Sequence, residues 1–163
     1  MKCETVRILQ GVDIVQVSKI RSIMLARPEF ASEIFTSRER EYCFSRRDPF
    51  IHLAGRFAAK EACLKALGTG LSDSGIDGGL GQIEVTSGRS GRPELSLSGW
   101  PEKIGRRRKV RQWTVSISHS GDFAVASVIL TAESGASKSD RPQREHQGAC
   151  NSLLDNAASK EPI

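Results

Sequence analysis

The sequence predicts a single α+β domain, on three observations: a Val- and Ile-rich stretch near the N-terminus, a long helical segment in the middle, and two hairpin patterns after it. Residues 6–17 carry the branched apolar side chains of a strand. Residues 18–27 follow as a helix, stopped by Pro28 because the residue before a proline resists helical ψ. Residues 29–45 read as a second helical region with Phe30, Ile34 and Phe35 facing inward, and Asp48-Pro49 breaks the chain. The strongest helix covers residues 51–67 and ends at Gly68, the usual residue for a left-handed C-terminal cap. Residues 82–86 and 94–98 alternate apolar and polar around a turn at 87–93 rich in Gly and Ser. Residues 113–118, with Trp113, Val115 and Ile117 on one face, return as 123–130 through Ser120-Gly121-Asp122.

At 163 residues the chain fits one domain, though its 38% hydrophobic content and few aromatics give a thin core that a neighbouring subunit could complete. No apolar run reaches the ~18–20 residues of a membrane helix. The first residues lack the apolar stretch of a signal peptide, so the expected location is cytoplasmic. Cys3, Cys43, Cys63 and Cys150 are widely spaced, which argues against a zinc site or a secreted disulfide framework. From Glu133 onward Ser, Ala, Gly, Gln and charged residues replace the apolar periodicity. The expected organisation is therefore a domain over 1–132 and a disordered tail over 133–163. That tail holds four basic and five acidic residues, so the +5 formal charge belongs to the part before it and points to anionic partners.

Three positions carry candidate chemistry. Asp13 interrupts an apolar strand and shares its face with Leu9, Gly11, Val15 and Val17. Alone it reads as a strand-end carboxylate satisfying backbone N–H groups; beside a second carboxylate it reads as a metal ligand. On the helix over 51–67, with Phe57 as origin, Leu53, Leu64 and Leu67 fall to one side and Glu61 and Lys65 about 40° and 80° to the other. Glu61 and Lys65 could be an ordinary i,i+4 pair worth ~0.2–0.5 kcal/mol. Their place at the margin of the buried stripe favours a carboxylate that needs a compensating cation. Two carboxylates with waters and phosphate oxygens suit Mg²⁺, and an adjacent lysine suits a phosphate being transferred. The full P-loop pattern is absent, and Gly68-Thr69-Gly70 reads first as a cap and turn. His119 lies at a loop mouth, where a lone histidine is more often structural than functional. The basic run over 106–111 reads as a solvated loop or an anion-binding patch, with no nucleic-acid module signature around it.

Three blocks (Gly11 to Val15; Leu53 to Gly70, reading LAGRFAAKEACLKALGTG; and Trp113 to Ser120) together resemble the holo-[acyl-carrier-protein] synthase family, the short type of 4′-phosphopantetheinyl transferase. The likeness spans roughly residues 6–131, and its middle block is the specific one. It implies the family's fold, an antiparallel sheet packed with helices, assembled as a homotrimer with active sites at subunit interfaces. It implies transfer of phosphopantetheine from coenzyme A to a serine of acyl carrier protein, for fatty acid biosynthesis. The positions matching Asp13 and Glu61 would hold Mg²⁺, and Lys65 would lie beside the reacting phosphate, making these three the catalytic set. Arg56, Lys65, Gly68 and His119 would contact coenzyme A. Lys19, Arg21 and Arg27 on the first helix would dock the acidic carrier, with Lys19 standing where many relatives have arginine. The rival readings are a transferase for polyketide or peptide-synthetase carriers and a non-catalytic basic module binding nucleic acid. The second leaves Asp13, Glu61 and Lys65 unexplained.

Overall fold

The computed structural model describes residues 6–69, 79–88 and 90–134. The tail assigned to 133–163 therefore falls outside them from residue 135 on, as do Gly70 and the residues before Val6. Strand β1 (Val6–Gln16) leads into helix α1 (Val17–Ala26). Short helices α2 (Phe30–Ile34) and α3 (Ser37–Phe44) precede the long α4 (Pro49–Ala66). A 3₁₀ turn (Leu80–Gln82) opens the hairpin β2 (Ile83–Ser87) and β3 (Pro93–Leu97). Helix α5 (Gly99–Arg107) then joins β4 (Val110–Ser120), which returns as β5 (Phe123–Glu133). The expected α+β class is what forms. Its main sheet has the order β1-β5-β4, antiparallel throughout, with β2-β3 as a separate two-stranded ribbon.

Local chemistry explains most boundaries. Asp48 accepts from the Phe50 N–H and Pro49 occupies the first helical turn, so the break expected at Asp48-Pro49 is the start of α4. Gly68 ends that helix at φ +65, the left-handed conformation that favours glycine. The helical region expected over 29–45 is instead two helices, parted where Phe35 turns extended and buries its ring. Thr36 and Glu39 then form a reciprocal capping box that starts α3 afresh. The basic run is also not a loop: Arg106 and Arg107 close α5, Lys109 makes the turn at φ 57, and Val110 and Arg111 enter β4. Arg106 pairs with Glu102, and Arg111 with Glu133, the last residue of β5.

Helix α4 runs through the centre of the molecule. Its Ala58, Ala59, Ala62, Cys63 and Leu64 pack with Val115, Ala126, Val128 and Leu130 of the sheet and Ile83, Val85 and Leu95 of the ribbon. Its Leu53 and Ala54 pack with Ile20 and Met24 of α1, Ala31 of α2, Cys43 of α3 and the intervening Phe35. Lys60, about −60° from Phe57 and so within the Leu53, Leu64 and Leu67 stripe, is buried too. Its ammonium donates to Glu39 Oε2 at 2.7 Å, Ile34 O at 2.7 Å and Leu80 O at 3.0 Å, using all three of its protons. Glu39 Oε1 in turn accepts from the Val85 N–H. This pair ties α2, α3, α4 and the ribbon together in the interior.

Against the sheet, α4 comes closest at Gly11. A Cβ there would stand 2.0 Å from Ala62 O and 2.6 Å from Ala66 N, so only glycine lets β1 and α4 meet. The other face of β1 is also apolar but open, with Val6, Ile8, Val12 and Ile14 all exposed. Among the described residues no helix is long and apolar enough to cross a membrane. Substituting Gly11→Ala should force β1 off α4 and cost at least the ~1–3 kcal/mol of an overpacked core. Urea denaturation measures it, and a variant as stable as the parent would refute the contact.

Candidate active site

Asp13 lies two residues along β1 from Gly11, on the face that α4 covers. The close approach at Gly11 therefore delivers Asp13 to the next exposed turn of the helix. Lys65 Nζ donates to Asp13 Oδ1 at 2.7 Å and to Val12 O at 3.3 Å. Glu61, one turn earlier on α4, is only 6% exposed, and its Oε1 is buried without a hydrogen-bond partner. Burial, followed by the repulsion of Asp13, pushes its carboxyl from the ordinary 4.5 up to about 7, against the pull of Lys65. The three residues singled out in the sequence thus converge on one site.

The arrangement suits a small hard cation. A carboxylate oxygen that is almost fully buried and unpartnered calls for a positive ligand, and Asp13 supplies a second oxygen beside it. Among the described residues no three or more His, Cys, Asp or Glu converge. Two carboxylates leave the other positions to water and substrate oxygens, as Mg²⁺ prefers.

A second feature lies toward the N-terminal end of α4. A cavity of about 520 Å³ is lined by Arg21, Arg46, Arg47, Asp48, His52 and His119 among others. His52 and His119 both face it, and burial, then Arg56, Arg46 and His119, hold the His52 imidazolium below its ordinary range. The rise of α4 puts His52 roughly 13 Å from Glu61. His119 is on the same sheet face as Asp13, in register with Ala124 and Val15, so ideal strand spacing sets their Cα atoms roughly 12 Å apart. Arg46, Arg47 and His52 are absent from the sequence-derived candidates. Their one local signal is the adjacent arginine pair before Asp48.

The other expected residues are placed differently from one another. Arg56 is turned inward, donating to Val85 O at 3.2 Å and lying 4.1 Å over the Tyr42 ring, away from the Asp13–Lys65 pair. Gly68 caps α4 three residues beyond Lys65, with the Arg108 guanidinium laid against it. On α1, Lys19 is exposed. Arg27 pairs with Glu29 and Glu33, whereas Arg21 pairs with Asp48 and stacks 4.4 Å over Phe50 as part of the cavity wall.

Fold and site together give an α+β chain with an acidic pair beside a lysine, and a basic cavity beyond them. The chain belongs to the 4′-phosphopantetheinyl transferase superfamily, whose family model matches residues 10–128. It is 37% identical over 122 residues to a holo-[acyl-carrier-protein] synthase of Caldanaerobacter subterraneus, covering 75% of this chain and 93% of that one. The solved holo-(acyl-carrier-protein) synthase of Bacillus anthracis, in complex with CoA (3′,5′-ADP), is 32% identical. It matches with a TM-score of 0.61 over 76% of this chain and 96% of its own. A second structure, from Helicobacter pylori in complex with coenzyme A, is 26% identical with a TM-score of 0.61, covering 75% and 99% of the two chains.

The raised Glu61 carboxyl sets a pH dependence. A native value of about 7 against an ordinary 4.5 means the folded form holds this proton more tightly than the unfolded chain. Its contribution is fully present below about pH 4.5 and is lost as pH rises through about 7. In EDTA, thermal midpoints of Glu61→Gln should therefore gain on the parent across this window. A constant difference between the two proteins from pH 4.5 to 8 would rule the shift out.

Proposed function

We propose that this chain transfers the 4′-phosphopantetheine arm of coenzyme A to a serine hydroxyl of apo-acyl carrier protein, releasing adenosine 3′,5′-bisphosphate. The observation that carries the reading is the buried, unpartnered Glu61 oxygen beside Asp13 and Lys65, in a chain of this superfamily. Asp13 and Glu61 would hold Mg²⁺, which when bound neutralises charge on the diphosphate of the coenzyme. Lys65 extends a half-exposed ammonium from the same spot and stabilises charge gathering on the phosphoryl oxygens as the bond breaks. The serine oxygen forms the new bond to the β-phosphorus, and the bond from that phosphorus to the bridging oxygen of the nucleotide breaks. The serine proton passes to Glu61, directly or through a water, as the carboxylate placed beside Asp13 and Lys65. The basic cavity at His52 and His119 would take the nucleotide, since its arginines suit the nucleotide's remaining phosphate. Of the expected carrier-docking residues, Lys19 presents its charge outward on α1, while Arg21 belongs to the cavity.

Intact-mass measurement of an apo-carrier protein after incubation with the chain, coenzyme A and Mg²⁺ tests the reading directly. The carrier should gain one phosphopantetheine, and Asp13→Ala or Glu61→Ala should slow transfer roughly a hundredfold or more, the scale of losing a positioned electrostatic group. No mass gain with the unmodified chain would refute it. A carrier panel separates the fatty-acid carrier, which this reading favours for a cytoplasmic enzyme of fatty acid biosynthesis, from polyketide and peptide-synthetase carriers.

The same reading includes a homotrimer. Strand β1 is apolar on both faces, the pattern of a strand covered on both sides, yet Ile8 and Ile14 are 68% and 65% exposed in the single chain. Phe123 and Ile129 of β5 extend that patch, so the surface left open favours association. Replacing Ile8 and Ile14 by Lys should yield monomers in sedimentation velocity, whereas a parent chain that is itself monomeric at micromolar concentration would discount the trimer.

A further inference from the structure

Resting on the transferase reading above, we propose that Lys65 competes with the divalent cation for Asp13, so that the cation binds tightly only when a diphosphate draws the ammonium away. The contact is specific. Lys65 Nζ lies 2.7 Å from Asp13 Oδ1, and it is anchored on the same strand by Val12 O at 3.3 Å. Glu61 offers an open oxygen, whereas the Asp13 oxygen is already committed to a positive charge. Half of the seat for a cation is therefore free and half is held by Lys65.

The two partners differ in their freedom to move. Asp13 is 14% exposed and fixed on strand β1 where α4 packs over it, while Lys65 is 48% exposed at the end of a flexible four-carbon stem. Lys65 is thus the partner that yields. A small dication gives up its waters reluctantly and needs direct oxygen contact, so it gains little from a carboxylate whose near oxygen is capped by an ammonium. Two cations sharing that oxygen also repel. A diphosphate changes the balance by offering the ammonium a more highly charged partner. Coenzyme and cation should then each tighten the binding of the other, by the same factor. The pairing gives Lys65 two successive positions: on Asp13 before the coenzyme arrives, and on the phosphate afterwards.

Manganese binding to the full chain, followed by the electron paramagnetic resonance signal of free Mn²⁺ without coenzyme, tests this apart from activity. Lys65→Met should bind Mn²⁺ about tenfold tighter than the parent, within the ~5–150-fold span of typical couplings, and Lys65→Arg should not. Adding coenzyme A should tighten the parent more than Lys65→Met, which has no ammonium to relocate. The double variant Asp13→Asn, Lys65→Met should lose the gain. Equal or weaker Mn²⁺ binding by Lys65→Met, with an unchanged thermal midpoint, overturns the proposal while leaving the transferase reading in place. Retention of the gain in the double variant overturns it as well. Absence of Mn²⁺ binding by every protein with coenzyme A present, together with no transfer to the carrier, removes both.

Discussion

The site depends on a gap one glycine wide. Helix α4 and strand β1 cannot approach further than Gly11 permits, and with any side chain there the backbone of Ala62 and Ala66 would be struck. Because strand side chains alternate, the residue two positions on points to the same face of the sheet, and that residue is Asp13. Because helical residues recur every turn, Ala62 and Ala66 on the contact line put Glu61 and Lys65 beside it. The distance between the two backbones thus decides whether Asp13 meets Lys65 at hydrogen-bonding range or stands off across water.

The buried stripe of α4 carries a charge of a different kind. Lys60 and Glu39 are both wholly removed from solvent, and a buried ion pair recovers its desolvation cost only when its remaining hydrogen-bonding groups are satisfied. Here they are: three acceptors surround the ammonium, and backbone N–H groups of Thr36 and Val85 donate to the carboxylate. The next residue, Glu61, is nearly as buried and has an oxygen left over. Two adjacent residues on one helix therefore divide the work. The satisfied charge holds the helix between its neighbours, and the unsatisfied one is left for a ligand.

The ends of the sheet extend this division. At the β4–β5 turn, Asp122 accepts from Ser18 N, Ser18 Oγ and Gln16 Nε2, capping α1 from more than a hundred residues away in sequence. The same end of the sheet carries His119 into the basic cavity, so the helix expected to meet the carrier and the cavity expected to meet the nucleotide share one corner. Arg21 shows the two overlapping. It is an α1 residue whose guanidinium is spent on Asp48 and Phe50 in the cavity wall.

By itself the sequence determined most element types (α5 over Gly99–Arg107 was not among them), the long helix and its glycine cap, the strand placement of Asp13, and the Glu61–Lys65 pairing on one helical margin. These follow from local rules: periods of 2 and 3.6 residues, proline and glycine geometry, and the scarcity of acids in apolar strands. It also carried the capping box of Thr36 and Glu39, although the run of helix formers around Phe35 concealed the break. Tertiary structure alone decided the rest. The partners that satisfy Lys60, the inward turn of Arg56, the meeting of Arg46, Arg47 and His52 with His119, and the pairing of β1 with β5 all join residues far apart in the chain. No periodicity encodes such contacts, because a charged side chain is exposed or interior according to what packs over it. For Lys60 the covering groups are the carbonyls of Ile34 and Leu80 and the carboxylate of Glu39, brought together only when the two sides of α4 close.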